Sequence, residues 1–151
     1  MAAASGRFIP KNPKKYVGKS VNNIMFRSSW ELYFLKWLDS NDAVLRWGSE
    51  ELAIPYVSPL DMRVHRYYPD MIIMYRDNTG AIKKEIIEIK PYKESVETPR
   101  MTQRDAQALM VNKEKWKAAA DWAGRNGAVF RVMTEKTLFK QKPAKQLGRS
   151  V

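Results

Sequence analysis

Residues 69–91 read PDMIIMYRDNTGAIKKEIIEIKP, and the fold turns on this stretch. Asp70–Tyr75 is apolar and suits a strand. Asp77-Asn78-Thr79-Gly80 is a turn signal, with Gly80 able to take positive φ. Lys83–Lys90 predicts a second strand, and Pro91, which has no amide proton for a ladder, ends it. Side chains alternate along a strand, so Glu88 and Lys90 share one face while Ile87 and Ile89 point into a core on the other. If the hairpin folds symmetrically about Thr79, paired positions sum to 158 and Asp70 lies across from Glu88. Facing residues of an antiparallel pair have Cβ atoms roughly 4.5–5.5 Å apart. Two carboxylates that close repel each other unless a cation lies between them.

The elements on either side follow from periodicity. Before the hairpin, Trp30, Tyr33, Phe34, Trp37 and Leu38 fall at helical spacing, which predicts a helix from Ser28 to Asp39-Ser40-Asn41-Asp42. Short strands are expected near Val44–Trp47 and Leu52–Val57, with a turn at Ser58-Pro59-Leu60-Asp61. After the hairpin, a long helix is expected within 99–124, entered through Thr98-Pro99 or capped by Thr102 and stopped by Gly124 and Gly127. Ala128–Met133 reads as a last strand, and Thr134-Glu135 as the start of a short helix. The order is helix, β-meander, helix, strand: a mixed α/β domain with a central sheet flanked by helices.

Charge divides the chain into three parts. Residues 1–27 carry six basic residues and no acid, and 136–151 carry five and no acid. The stretch between them holds 16 of each sign, so the net charge of +11 comes wholly from the two ends. This predicts a basic N-terminal arm (1–27, irregular over 1–19), a core (28–135) and a basic C-terminal tail (136–151). Two cationic ends on a neutral body suit a polyanion partner. Neither end reads as a basic amphipathic helix, which speaks against a membrane surface. No run approaches eighteen apolar residues, and the N-terminus has no apolar signal region. The absence of cysteine excludes disulfides and thiolate metal sites.

Hydrolysis of a phosphodiester with a metal ion needs oxygen ligands that leave coordination positions open. Mg²⁺ takes one or two carboxylates along with water and substrate phosphate. A nearby amine can hold the nucleophile or stabilise developing negative charge. Asp70, Glu88 and Lys90 meet that need, with the Ile89 carbonyl between the last two. IIEIK is a nearly continuous apolar run, typical of a covered strand, so Glu88 is not expected to be merely solvated.

Pro69-Asp70 and, seventeen residues on, Glu88-Ile89-Lys90 resemble the signature of the PD-(D/E)XK nucleases. Arg27-Ser28-Ser29-Trp30-Glu31 and His65-Arg66-Tyr67-Tyr68-Pro69-Asp70 resemble motifs of TnsA-like transposon endonucleases, which often have Gln where this chain has Glu88. KNPKKYVGKSVNNIMFRSSWEL and WGSEELAIPYVSPLD are similar to the head completion nucleases of contractile-tailed phages. The resemblance implies a restriction-endonuclease-like domain, Mg²⁺ or Mn²⁺, DNA as substrate, and a role in finishing DNA-filled heads in the host cytoplasm. Capsid, portal or neck proteins are the implied partners. In this scheme Asp70, Glu88 and Ile89 hold metal, Lys90 assists the nucleophile and Glu31 ligates directly or through water.

Glu31 has a second reading, because Ser28-x-x-Glu31 is also a capping box in which Glu31 bonds back to the Ser28 amide. His65, the single histidine, reads as structural, since alternation turns it from the Asp70 face. Trp47 and Tyr92 read as core rather than as base-stacking platforms. On the long helix, Gln103, Gln107, Asn112 and Lys113 fit a packing helix, with Asn112 or Lys113 near a phosphate as the lesser alternative. With one carboxylate–lysine set and no coiled-coil pattern, a monomer in free solution is expected. Two other functions fit parts of the pattern: a non-catalytic, DNA-contacting protein of the capsid or neck, and a junction resolvase or repair nuclease on the same fold.

Overall fold

The computed structural model describes residues 5–138. Its strands are β1 (Gly6–Phe8), β2 (Ile24–Phe26), β3 (Val44–Ser49), β4 (Ile54–Val57), β5 (Val64–Tyr67), β6 (Met71–Arg76), β7 (Ile82–Ile89) and β8 (Val129–Met133). Its helices are α1 (Ser29–Ser40), α2 (Gln103–Arg125) and α3 (Glu135–Leu138). The central sheet has the order β3-β6-β7-β8. β3, β6 and β7 are antiparallel neighbours, whereas β8 runs parallel to β7. A parallel neighbour needs a crossover, and α2 supplies it. No helix among the described residues is long and apolar enough to cross a membrane.

Each face of the sheet has its own core. Met71, Ile73, Ile87 and Ile89 point to the α1 side and pack with Phe34, Leu38, Trp47 and Met133. On the opposite side Trp116, Ala119 and Trp122 of α2 pack with Ile54, Tyr67 and Phe130. The helix ends match their sequence signals. Ser28 Oγ accepts from the Glu31 amide at 3.1 Å, and Thr102 Oγ1 accepts from the Asp105 amide at 3.0 Å. Gly127, at φ +70°, turns the chain out of α2.

The expected meander is interrupted. Chain order predicts that β3 is followed by a neighbour in the same sheet, but β4 and β5 pair only with each other as a separate ribbon. Glu50 explains the departure. It takes φ +54° directly after β3, which turns the chain out of the sheet, and its amide donates to the Asp70 carbonyl at 3.1 Å. β6 then returns to fill the place beside β3.

The irregular N-terminal arm also needs correction. From residue 5 onward it belongs to the folded body: β1 and β2 form an antiparallel ribbon. Phe8, Tyr16 and Ile24 are buried in the α1-side core. Asp39 accepts from the amides of Lys11 (2.8 Å) and Asn12 (3.1 Å). Lys15 Nζ donates to the carbonyls of Leu38, Asp39 and Asn41, at the C-terminal end of α1 where a cation is favoured. These bonds span more than twenty residues, so no local pattern announces them. The expected tail beyond residue 138 lies outside the described residues.

Candidate active site

The hairpin holds the register that its symmetry predicts. Met71 faces Ile87, Ile72 faces Ile86 and Arg76 faces Ile82. Asp77 sets the turn by accepting at Oδ1 from the amides of Thr79 (2.9 Å) and Ala81 (3.1 Å), with Gly80 at φ +89°. Continued one step beyond the Met71–Ile87 pair, this register sets Asp70, just before β6, beside Glu88, with which it interacts electrostatically. Asp70 Oδ2 accepts from the Ile89 amide at 2.7 Å. Glu88 Oε1 accepts from the Tyr67 hydroxyl at 2.6 Å, and Glu88 Oε2 lies 3.7 Å from Lys90 Nζ. The Lys90 amide donates to the Met133 carbonyl at 2.9 Å, which ties the lysine to the end of β8.

Both carboxyls are held at a cost to their charge. Burial pushes the Asp70 pKa well above the aspartate range, and the neighbouring Glu88 pushes it further, against the pull of the Ile89 amide. Burial likewise raises Glu88, opposed by the Tyr67 hydrogen bond and by the charges of Lys90 and Lys115. Glu88 is only 7% exposed, so little water reaches it to relieve the charge.

Glu31 reaches the same region from α1. It interacts electrostatically with both Lys90 and Asp70, and burial raises its pKa. It lines a cleft of about 610 Å³ with Trp30, Ile89, Lys90 and Tyr92. The capping box differs in detail: Glu31 Oε1 accepts from the Arg27 amide at 3.0 Å, not from that of Ser28. The structure therefore gathers Glu31, Asp70, Glu88, Ile89 and Lys90 at one end of the sheet. Among the described residues, however, no three His, Cys, Asp or Glu side chains are arranged to hold a metal ion together.

The remaining candidates sort differently. Trp47 is core at 1% exposure, but Tyr92 is not: it is 38% exposed with Lys136 Nζ stacked 3.6 Å from its ring centroid. His65 sits on the exposed ribbon, its Nε2 2.8 Å from Asp61 Oδ2. Lys113 pairs with Glu97 at 3.0 Å, away from the carboxylates. Asn112 lines a different pocket, with Arg100 and Asp105.

Three residues at the site take no role from the sequence alone, although Arg27 and Tyr67 lie within the motifs quoted above. Tyr67 holds Glu88, and its hint was its place three residues before Asp70 on an exposed-looking strand. Arg27 forms an ion pair with Glu50 beside Glu31 and Asp70. Lys115 projects from α2 toward Glu88, with its Nζ 5.7 Å from the Tyr67 ring centroid and 5.8 Å from that of Tyr56. Its signal was helical: it lies four residues before the buried Ala119, on the sheet-facing side of α2.

Comparison with known proteins identifies the family. Residues 41–135 match the family described as TnsA-like endonuclease N terminal, which implies a restriction-endonuclease-like fold. The chain is 38% identical over 143 residues to the head completion nuclease of Enterobacteria phage T4, covering 88% of this chain and 92% of that protein. No solved structure matches. With a family match over more than half its length and a relative similar over nearly all of it, the chain belongs to the TnsA-like endonuclease N-terminal family and is a homologue of that head completion nuclease.

Proposed function

We propose that this protein is a divalent-metal-dependent DNA endonuclease of the PD-(D/E)XK kind that acts in phage head completion. The observation that carries the reading is the buried Glu88 with the half-buried Asp70 against it and Lys90 beside it. Two carboxyls shielded from water and set against each other are expensive in a structural role and useful in a site that takes a cation.

The donor set fits Mg²⁺ or Mn²⁺. It is all oxygen, and a hard ion with a partial protein shell needs one or two carboxylates. Asp70, Glu88 and the Ile89 carbonyl would hold the ion, with Glu31 at the margin. A bound ion supplies an activated water and neutralises charge on the scissile phosphate. The chain's own residues do the rest. The Ile89 amide fixes Asp70 through Oδ2. Tyr67 fixes Glu88 through Oε1, leaving Oε2 turned towards Lys90. The Lys90 amine then orients the attacking water and stabilises charge on the phosphate oxygens.

The test is incubation of purified protein with supercoiled plasmid, with and without Mg²⁺ or Mn²⁺, beside Asp70→Asn. One carboxylate–lysine set attacks one strand at a time, so a monomer nicks before it linearises. Metal-dependent nicking lost in the variant is the expected result. No cleavage under any metal would point to a DNA-contacting protein of the capsid or neck. A preference for branched DNA would point to a resolvase.

A further inference from the structure

Lys115 is an ammonium that the fold brings to the site without giving it a full partner. It stands half-buried between the rings of Tyr56 and Tyr67, at 5.8 and 5.7 Å. Among the described residues no carboxylate lies within ion-pair distance of its Nζ. The nearest acid, Glu88, is already engaged by the Tyr67 hydroxyl at one oxygen and faced by Lys90 at the other. Lys90 and Lys115 thus both crowd one carboxylate and repel each other. Burial lowers the Lys115 pKa, Lys90 lowers it further, and only Glu88 opposes them. An amine desolvated and repelled in this way gains most from an additional anion.

Resting on the nuclease reading, we propose that Lys115 binds a backbone phosphate of the DNA, on the α2 side of the sheet beyond Glu88 and Lys90. The two aromatic faces hold the amine while leaving its N–H donors free to reach a phosphate oxygen. The duplex backbone then crosses the end of the sheet between α1 and α2, with Lys90 at the scissile phosphate and Lys115 at a phosphate beside it. A counter-ion for Glu88 is the simpler role, but Lys90 already fills it at 3.7 Å.

The test measures equilibrium binding of a 20-base-pair duplex (about two helical turns) in EDTA across a salt series, where binding is read apart from cleavage. Lys115→Met should weaken binding on the order of tenfold at low salt. It should also reduce the log–log salt slope by about 0.9, the share of one neutralised phosphate. Lys115→Arg should restore both. Lys115→Gln serves as a second neutral variant should the methionine protein melt early. Neutral variants that fold normally and keep the wild-type slope would overturn the assignment while leaving the nuclease reading intact. A wild-type protein that binds no duplex in EDTA would overturn the phosphate assignment; the plasmid assay with metal decides the nuclease reading separately. Wild type that binds with a Lys115-dependent slope but never cleaves would sustain the phosphate assignment and sink the nuclease reading.

Discussion

Asp39, buried, and Asp70, half-buried beside Glu88, both have carboxyl groups shielded from water, and their surroundings differ in kind. Asp39 accepts two amide hydrogen bonds, from Lys11 and Asn12, one on each oxygen. The Lys15 amine caps the helix end beside it. The carboxylate there meets donors and the ammonium meets acceptors, so the knot fastens the N-terminal segment to α1. Asp70 has a single amide on Oδ2 and a second carboxyl, Glu88, pressing upon it. One carboxylate is satisfied by the fold; the other, on the proposed function, takes a cation. An acid surrounded by amides fastens the fold, whereas an acid facing another acid is a candidate site.

The contrast breaks first on activity. Asp70→Asn and Glu88→Gln should each cut plasmid cleavage by at least about a hundredfold, since even the partners of metal ligands cost roughly ten- to a hundredfold. Asp39→Asn should cleave nearly as wild type at a temperature where it is folded. Equal losses from all three variants, measured on folded protein, would erase the distinction.

It breaks next on stability, with the opposite sign. Asp39→Ala leaves two amides without their acceptor and should lose about 3 kcal/mol in urea unfolding. Asp70→Asn can keep the Ile89 bond while removing a disfavoured charge, so it should melt at or above the wild-type temperature without metal. The pH dependence follows from the same shift. A carboxyl whose folded pKa is raised binds its proton more tightly when folded. Its contribution is present below the unfolded aspartate pKa, roughly 3.9, and is lost as pH rises through the higher folded value. Metal-free wild type should therefore lose stability relative to Asp70→Asn as pH climbs above that point. A constant difference between the two from pH 4 to 8 would contradict the cause assigned to the shift.

A smaller effect sharpens the account of Glu88. Tyr67→Phe keeps the ring in its core and removes only the hydroxyl, so cleavage should fall about tenfold with the metal requirement unchanged. The smallest effect concerns the basic ends. Removing 139–151 takes away Lys140, Lys142, Lys145 and Arg149, and should lower the salt slope of DNA binding by about 0.9 for each phosphate these residues neutralise. An equivalent cut at the N-terminus cannot be read so simply, because Phe8 belongs to the core.

The same contrast explains which parts of the molecule were legible in the sequence. The hairpin and its register follow from local rules: the Asp77-to-Gly80 turn sets the pairing down to Met71–Ile87, and the next residues along, Asp70 and Glu88, interact. The helices carry their own caps. What escaped depends on contacts distant in the chain. β1 and β2 are three residues each, too short to show a period, and are held by Asp39 and the core. The ribbon of β4 and β5 leaves the sheet because of one positive φ at Glu50, a residue type that does not advertise it. Lys115 looks like any helix lysine until α2 is laid against the ribbon of β4 and β5, and Tyr92 looks like core until the fold leaves it exposed under Lys136.

The central claim is that Asp70 and Glu88 form a pair awaiting a divalent cation, and thermal melting with increasing Mn²⁺ tests it most directly. An ion that binds only the folded protein stabilises it by RT ln(1 + [L]/Kd), about 2.7 kcal/mol at a hundredfold excess over Kd. The account predicts that the wild-type Tm climbs steadily with Mn²⁺. Asp70→Asn should start at or above the metal-free wild-type value and scarcely respond, while Asp39→Asn starts lower and climbs as wild type does. A wild-type Tm indifferent to Mn²⁺, with Asp70→Asn melting below it, would contradict the claim and make Asp70 a structural residue like Asp39.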